Sequence, residues 1–464
     1  MNHILHFPKD PREQSKPSAG SGRYYALLSQ TETIPAPIPG GLLAAWIFEA
    51  FDAQWFDQNP EPPSPDNWIG YYERVPLFVL EMLVEPAQFG WFDAFKTIHT
   101  ADDEGDEPDE WFSILAGPTE GRALGEGETP VFIYSNLYQA GIPASLKEIG
   151  RPDAATSALL RKTVSTSHIP DAKDKDVDVA LNSVGKIEYA VTYDVGQGNA
   201  IGFCGSGNSV EAYLDLGGGV TRNAFTYPGP LKHFCFTSRP PVMLTHWDFD
   251  HWSSAHRDTN SLKSTWIAPR QYVGPTHVAL MASIMKSGTL HLLSRTFPAG
   301  WHNQIYLEHC TGKGRNHSGL ALTLSEESKG AGEHMLFPGD ARYDHIPSFA
   351  SAKHFLSVVA PHHGADMKKP LAPTCPGVSA SRLVYSFGAG NSFHHPRLVT
   401  RTDHGKQGWR DPNVAPRAPS FEVRETANRL RSSLGHVLLG WKTYGTPPSL
   451  PCGGGKCQLQ AQQL

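Results

Sequence analysis

Within the segment VMLTHWDFDHWSSA, residues 242–255, His246, Asp248, Asp250 and His251 fall inside six positions. Two imidazoles and two carboxylates are costly to gather in a folded chain unless a positive charge sits among them. A divalent metal ion supplies that charge. Imidazole nitrogen and carboxylate oxygen suit Zn2+, Mn2+ or Fe2+, and a cluster without thiolate argues against a closed structural zinc site. His246 and Asp248, two apart on a chain leaving a strand, can face one ion; Asp250 and His251, after a turn, can face a second. Asp340 in LFPGDARY can bridge both, and His362 or His363 in APHHGAD and His395 in SFHHP can complete the shells. Two ions roughly 3.5–4 Å apart would generate hydroxide and stabilise the attacking and leaving oxygens of a hydrolysed ester.

Each piece taken singly has a plainer reading. A lone buried histidine is usually a satisfied core residue, a Gly-Asp pair usually a turn. Trp247, Phe249 and Trp252 can stack on a base, although aromatics beside such a cluster more often form its wall. Repetition is what departs from the plain readings. PPVMLTHWD, GLALTLSEE, EHMLFPGDARY, FLSVVAPHHGAD and RLVYSFGAGNSFHH each run as an apolar strand straight into His, Asp or Asn. Polar chemistry at successive strand ends predicts one rim of a sheet, where sheet-based sites sit. Upstream, IEYAVTYDVGQGNAIGF and SVEAYLDLGGG predict two strands broken by Gly-rich turns. SFEVRETANRLRSSLG predicts a late helix and HVLLGW a closing strand.

The chain that carries this pattern has 464 residues, enough for two or three domains. A hydrophobic share of 39% with 44 Gly and 38 Pro describes a loop-rich globular protein. The net charge of −6 removes any global basic field for nucleic acid and leaves only a local groove. No apolar run approaches the ~18 residues that cross a bilayer, and MNHILHFPKDPREQSK lacks the apolar core of a secretion signal. Six cysteines without a framework spacing fit a reducing compartment, so the expectation is a cytoplasmic protein with no membrane association.

Residues 1–40 are polar and Pro-rich and are expected to be extended or mobile. An accessory region with its linker spans 41–180. There GGLLAAWIFEAFDAQWF has helical spacing, RVPLFVLEMLVE reads as a strand or short helix, and TADDEGDEPDEW reads as a solvated loop. TSHIPDAKDKDVDVALNS reads as the linker. The chemistry-bearing domain spans 184–445, and 446–464, with Cys452 and Cys457, reads as a flexible tail. Residues 41–180 show no chemistry of their own; they can cap the site, recognise substrate or bind a partner protein.

THWDFDH resembles the H-x-[HD]-x-D-H signature of the metallo-β-lactamase fold, and its Asp-containing form resembles the ComEC-like branch and its stand-alone hydrolases. The same branch carries D-V-G-Q-G, here Asp194 to Gly198, and a YLDLGGG-like turn, here Tyr213 to Gly219. It continues with N-x-S (Asn316, Ser318), G-D (Gly339, Asp340), H-H-G (His362, His363, Gly364) and G-x-x-N-x-x-x-H-P (Gly388, Asn391, His395, Pro396). All occur in order over roughly residues 187 to 400, and none covers residues 1–180. The resemblance implies an α/β (α+β) chain: a metallo-β-lactamase αββα sandwich with an additional N-terminal region. It implies two divalent ions, Zn2+ or Mn2+, on His246, Asp248, Asp250, His251, Asp340 and His362. It also implies phosphodiesterase or nuclease-type hydrolysis of a nucleic acid or nucleotide, with Asp250, His363 and His395 acting catalytically.

Of the histidine pair, His362 is the expected ligand because it directly follows a strand end, with His363 nearer substrate. His395 is the candidate donor to the leaving or phosphoryl oxygen. Asn316, Ser318, Asn391 and Lys368 are the substrate-side candidates, with Lys369 and Arg342 as further cations. Two departures limit the carry-over. Ala365 replaces the usual serine after H-H-G, and the third metal-binding histidine of ordinary members has no clear match, with only Asn316 and His317 nearby. The membrane channel of ComEC is absent, so DNA uptake is not implied. The same chemistry would serve a small ester, lactone or lactam, and a non-catalytic metal-containing nucleotide sensor or partner-binding protein is the reading from another class.

Overall fold

The computed structural model describes residues 22–35, 41–84, 110–119, 128–207, 209–351, 354–369, 371–413, 422–429, 434–446, 448, 459 and 463–464. The stretch 1–21, the acidic run at 100–109, and Cys452 and Cys457 lie outside the described residues. The chain divides into a first unit, Met1–Pro170 with Tyr272–Lys286, and a second, Asp171–Gln271 with Ser287–Leu464. Among the described residues no helix is long and apolar enough to cross a membrane.

The first unit is a closed barrel. Its strands are β1 (Gly22–Pro35), β2 (Leu42–Asp52), β3 (Leu77–Val84), β4 (Trp111–Pro118), β5 (Pro130–Tyr134) and β6 (Ile142–Gly150), in the order β1-β2-β3-β5-β6-β4. Alternation puts Trp46, Phe48 and Ala50 of β2 inside with Phe78, Leu80 and Phe112. Phe48 meets Phe112 edge to face at 5.9 Å. The helix expected over GGLLAAWIFEAFDAQWF is therefore corrected to a strand followed by the short helix Ala53–Gln58. Both faces of β2 are buried from Trp46 to Phe51, which erases the alternation that would mark a strand in sequence. Residues 22–35, expected within an extended or mobile segment, form the first barrel strand.

Glu49, buried on the outer face of β2, has a specific task. Its Oε2 accepts Thr276 N at 2.8 Å and His277 N at 3.3 Å, at the start of helix Pro275–Ser287. Its Oε1 accepts Ser29 Oγ at 2.8 Å and lies 2.6 Å from His277 Nδ1. A carboxylate on the free N–H groups of a helix start satisfies both charge and backbone.

The second unit is an αββα sandwich of two seven-stranded sheets. The first contains β7 (Ile187–Thr192), β8 (Ala200–Gly205), β9 (Val210–Leu216), β10 (Val242–Met243), β11 (Thr265–Pro269), β12 (Thr289–Leu293) and β20 (Val437–Gly440), ordered β12-β11-β10-β9-β8-β7-β20. The second runs in chain order from β13 (Gly300–His302) and β14 (Ile305–His309) through β15 (Leu320–Ser325), β16 (His334–Phe337), β17 (Ser357–Val359) and β18 (Arg382–Tyr385) to β19 (Val423–Glu425). Ile201, Phe203 and Leu214 from one sheet share a core with Leu322, Phe337 and Val384 from the other. Short helices cover the outer faces: Phe249–Trp252 and Ser254–Arg257 on the first, Pro347–Ser351 and Leu398–Lys406 on the second. Strands β9 to β12 are mutually parallel, as are β16 to β19, so their C-terminal ends gather the polar residues that follow them.

Three further sequence expectations change. The presumed linker contains helix Asp174–Asn182, whose Val177 and Leu181 enter the inter-sheet core, and the unit boundary falls at 170/171. Within the late helix expected over SFEVRETANRLRSSLG, residues 422–429 instead form strand β19 and a turn, because β19 is held edge-on by β18, while 420–421 and 430–433 lie outside the described residues. In the presumed tail Leu459 is buried and Gln463 pairs with β20 through Leu438 N and its own N–H to His436 O.

His404, at the end of helix Leu398–Lys406, lies in the outer core of the second sheet. Its ring lies 2.9 Å from Tyr343 Oη and 3.0 Å from Tyr385 Oη. Burial pushes its pKa down from 6.5 to about 4. A depressed histidine pKa adds stability that is complete above pH 6.5 and is lost as pH falls toward 4, because only the unfolded chain takes up the proton there. The expected loss is about 3 kcal/mol. Urea midpoints measured from pH 7 to 4 should fall less steeply for His404→Gln than for wild type; parallel curves would show that His404 does not govern this window.

Candidate metal centre

The rim of the sandwich brings together side chains from three strand ends. His246, Asp248, Asp250 and His251 follow β10, Asp340 follows β16, and His363 follows β17 in the turn Pro361–Gly364. His251 Nε2 lies 3.0 Å from Asp340 Oδ1 and 3.9 Å from Asp250 Oδ1. His363 Nε2 lies 3.1 Å from Asp250 Oδ2. His246 Nε2 stands 3.7 Å from Asp340 Oδ2 and 3.5 Å from Asp248 Oδ2. Two groups emerge whose ligand atoms lie within 4.8 Å of one another: His246, His251 and Asp340, and Asp250, His251 and His363.

The cluster is buried and its inward atoms are unsatisfied. His246 Nε2, His251 Nε2, His363 Nε2 and Asp340 Oδ1 are all buried and make no well-aligned hydrogen bond, facing one another and Asp250 at 3.0 Å or more. Such atoms gathered in two overlapping groups would be expensive in a closed core, and a cation would satisfy those of the group that holds it. The residues therefore fit a divalent ion. Burial alone would favour a neutral Asp340, yet His251, His362 and His363 outweigh it and hold the carboxyl well below its usual range. Burial likewise opposes charge on His251, but Asp340 and Asp215 prevail and raise its pKa well above the ordinary value. The field at the centre thus stabilises positive charge among anionic oxygens.

Backbone placement explains the glycines of the two Gly-rich motifs. Asp250 O accepts Asn199 N at 3.0 Å and Gly218 N at 3.1 Å. A Cβ on Gly217 would lie 1.5 Å from that carbonyl oxygen, so DLGGG is small where the ligand-bearing turn crosses it. His362 and His363 both adopt left-handed backbone, with φ of 48° and 55°. Non-glycine residues held there cost about 1–3 kcal/mol each and tend to mark functional sites.

This turn also decides between the two histidines. Position after the strand favoured His362, but it is His363 Nε2 that joins Asp250 and His251, while His363 Nδ1 meets Ser386 O at 2.8 Å. His362 Nε2 stays 3.7 Å from Asp340 Oδ2 with its side chain 16% exposed, and it belongs to neither group. Consecutive left-handed residues swing the second ring, not the first, into the cluster.

The other candidates are spread more widely. His395 is buried, with its ring 5.5 Å from His362 and 6.5 Å from His363 and with Nδ1 unpartnered. Burial, then the neighbouring His362 and His363, push its pKa well below the usual value, which leaves a neutral ring. Asn391 spends its amide on backbone: Nδ2 donates to His395 O at 2.7 Å and Oδ1 accepts His395 N at 3.0 Å. It thereby shapes the loop that presents His395. Ser318 Oγ accepts Gln271 Nε2 at 2.9 Å, and Asn316 is half-buried on the same short helix. Lys368 is exposed, whereas Arg342 and Lys369 both pair with Asp344, at 2.9 and 2.5 Å. Asp194 of DVGQG pairs with Arg429 and accepts Gly435 N at 3.0 Å, so it anchors its loop outside the cluster.

Two residues escaped the sequence reading. Asp215, fully buried in DLGGG, places Oδ2 2.8 Å from His251 Nδ1 and accepts Thr245 N at 2.8 Å and Asn199 Nδ2 at 3.0 Å. An aspartate in an apolar strand was the available signal. Arg315 is the other; its Nε lies 3.0 Å from Asp248 Oδ1, and no local pattern links positions 67 residues apart. A carboxylate behind a ligating imidazole fixes its tautomer and raises its basicity. Asp215→Asn should therefore weaken Zn2+ binding roughly 10–100-fold in competition with a chelating dye, with His233→Ala unchanged because its ring is 79% exposed. Unaltered affinity in the Asp215 variant would remove the orienting role.

No protein-family model matches the chain, and no curated protein matches it. Among solved structures, Zn2+-bound PqqB from Methylobacterium extorquens is similar over 47% of this chain and 96% of its own, with 10% identity and a TM-score of 0.29.

Proposed function

We propose that this chain is a metal-dependent hydrolase of phosphodiesters, acting on a nucleic acid or a nucleotide. The observation that carries the reading is that buried His251 Nε2 is shared, at one sheet rim, by two groups of metal-type donors, one with His246 and Asp340 and one with Asp250 and His363. The donors are imidazole and carboxylate without thiolate, a set that suits Zn2+ or Mn2+ and an open, reactive centre. A bound ion would supply Lewis acidity and an activated water. The choice of phosphodiester over other esters rests on the likeness of the ordered motifs to the ComEC-like branch.

The protein's own groups take definite parts. Asp250 and His363, 3.1 Å apart, would hold the ion with His251, and a carboxylate oxygen of Asp250 not bound to it can accept a proton from the attacking water. Asp215 keeps His251 pointed inward. His395, neutral and unpartnered at Nδ1, suits a hydrogen bond from its ring N–H to a phosphoryl oxygen better than delivery of a proton to the leaving group.

Metal-loaded protein should hydrolyse at least one of single-stranded DNA, RNA or a cyclic dinucleotide with Mn2+ or Zn2+. Asp250→Ala should abolish turnover while the protein stays folded. His395→Ala should lower kcat by about 10²–10³-fold, to a similar extent on a poor leaving group and on a nitrophenyl phosphodiester, with metal content intact. A loss confined to the poor leaving group would make His395 a proton donor. No turnover on any phosphodiester by metal-replete wild type would overturn the reading.

A further inference from the structure

The ligand inventory alone suggests two ions, but the two candidate groups share a single atom. His251 Nδ1 is engaged by Asp215, so only Nε2 is available, and one imidazole nitrogen binds one ion. Filling both groups at once would require that nitrogen twice. With the first ion on Asp250, His251 and His363, a second would rely on His246 and Asp340 with Asp248 as its third ligand. Asp248 belongs to neither group, and its Oδ1 lies 3.0 Å from Arg315 Nε. Both side chains are buried, with 3% exposure for Asp248 and 9% for Arg315.

We propose that Arg315 occupies the electrostatic place of a second metal ion, so that the centre takes one divalent ion at His251 Nε2. The inference rests on the metal-centre reading above and deepens it. Charge placement supports it. Asp248, Asp250 and Asp340 bring three negative charges to a buried cluster and Asp215 a fourth behind His251; the Arg315 guanidinium already neutralises the one at Asp248, where a second divalent ion would have to sit against it. Net charge in a buried site is costly, and a guanidinium stays protonated at any working pH. Arg315 is held in position by its backbone as well: Gln271 Nε2 donates to Arg315 O at 2.7 Å and to Ser318 Oγ at 2.9 Å. The helix Gly314–Ser318 is thereby pinned with its cation beside Asp248.

The test is metal stoichiometry of the full chain, which needs no substrate. Protein stripped with chelator, reloaded with excess Mn2+ and freed of unbound metal should carry about one ion per chain by mass spectrometry. Its electron paramagnetic resonance spectrum should show isolated Mn2+. Arg315→Met should release Asp248 and raise the content to about two, with the spectrum of a coupled pair, and Arg315→Met with Asp248→Asn should return it to one. Two ions in wild type would overturn the inference alone, as would a folded Arg315→Met chain that stays at one. The wild-type count decides the matter even where the variant does not fold. Wild type that binds no metal at saturation would overturn the metal-centre reading and this inference together.

Discussion

The buried hydrogen bond between His251 Nδ1 and Asp215 Oδ2 is the contact on which the rest of the site depends. An imidazole in a core can rotate or exchange tautomers, and either change would turn Nε2 away from Asp340 and His363. Asp215 prevents this because it is itself over-determined. It accepts Thr245 N, Thr245 Oγ1 and Asn199 Nδ2, and its own backbone is left-handed at φ 56°. Asn199 in turn donates its backbone N–H to Asp250 O. The segments DVGQGN, DLGGG and THWDFDH, distant in sequence, are thus one hydrogen-bonded body. Parallel pairing of β9 with β10 sets that body at the rim.

Charge organises the next layer. Burial would neutralise Asp248, Asp250 and Asp340, but each keeps a depressed pKa because cationic or cation-capable groups face it: Arg315 and His246, His363 and His251, and the whole histidine set in turn. The pKa values of His317, to about 3, and of His395 are also pushed down, by burial and by their histidine neighbours, which for an imidazole favours the neutral form. The centre therefore separates into an anionic pole that attracts cations and a wall of neutral imidazoles that can hydrogen-bond without competing for them. The strained turn at His362 and His363 lies where the two meet.

Carboxylates in apolar runs have opposite meanings in the two units. Asp215 in YLDLGGG supports a histidine of the site, while Glu49 in AAWIFEAF receives the N–H groups at a helix start. Both are fully buried, and both are paid for by several donors. Sequence marks such a residue as out of place; only its partners, at positions 251 and 276, say which task it has.

The sequence by itself determined the chemistry. His246, Asp250, His251 and Asp340, at strand ends and in order, were enough to single out a candidate hard-donor metal site on one sheet rim, because strand periodicity and ligand type are both local properties. The sandwich was expected from the likeness of the ordered motifs to the metallo-β-lactamase fold, together with apolar strands that break into polar ends. Tertiary structure decided everything that depended on long-range pairing. It made a two-faced strand out of the apparent helix at 42–52, since burial on both sides removes the alternation that would reveal it. It turned the helix-like stretch after 421 into an edge strand. It selected His363 over His362 through two left-handed residues, and it set Arg315 against Asp248. Backbone handedness and contacts across dozens of residues leave no mark in local composition, so the choice of ligands and the count of charges at the centre belong to the fold.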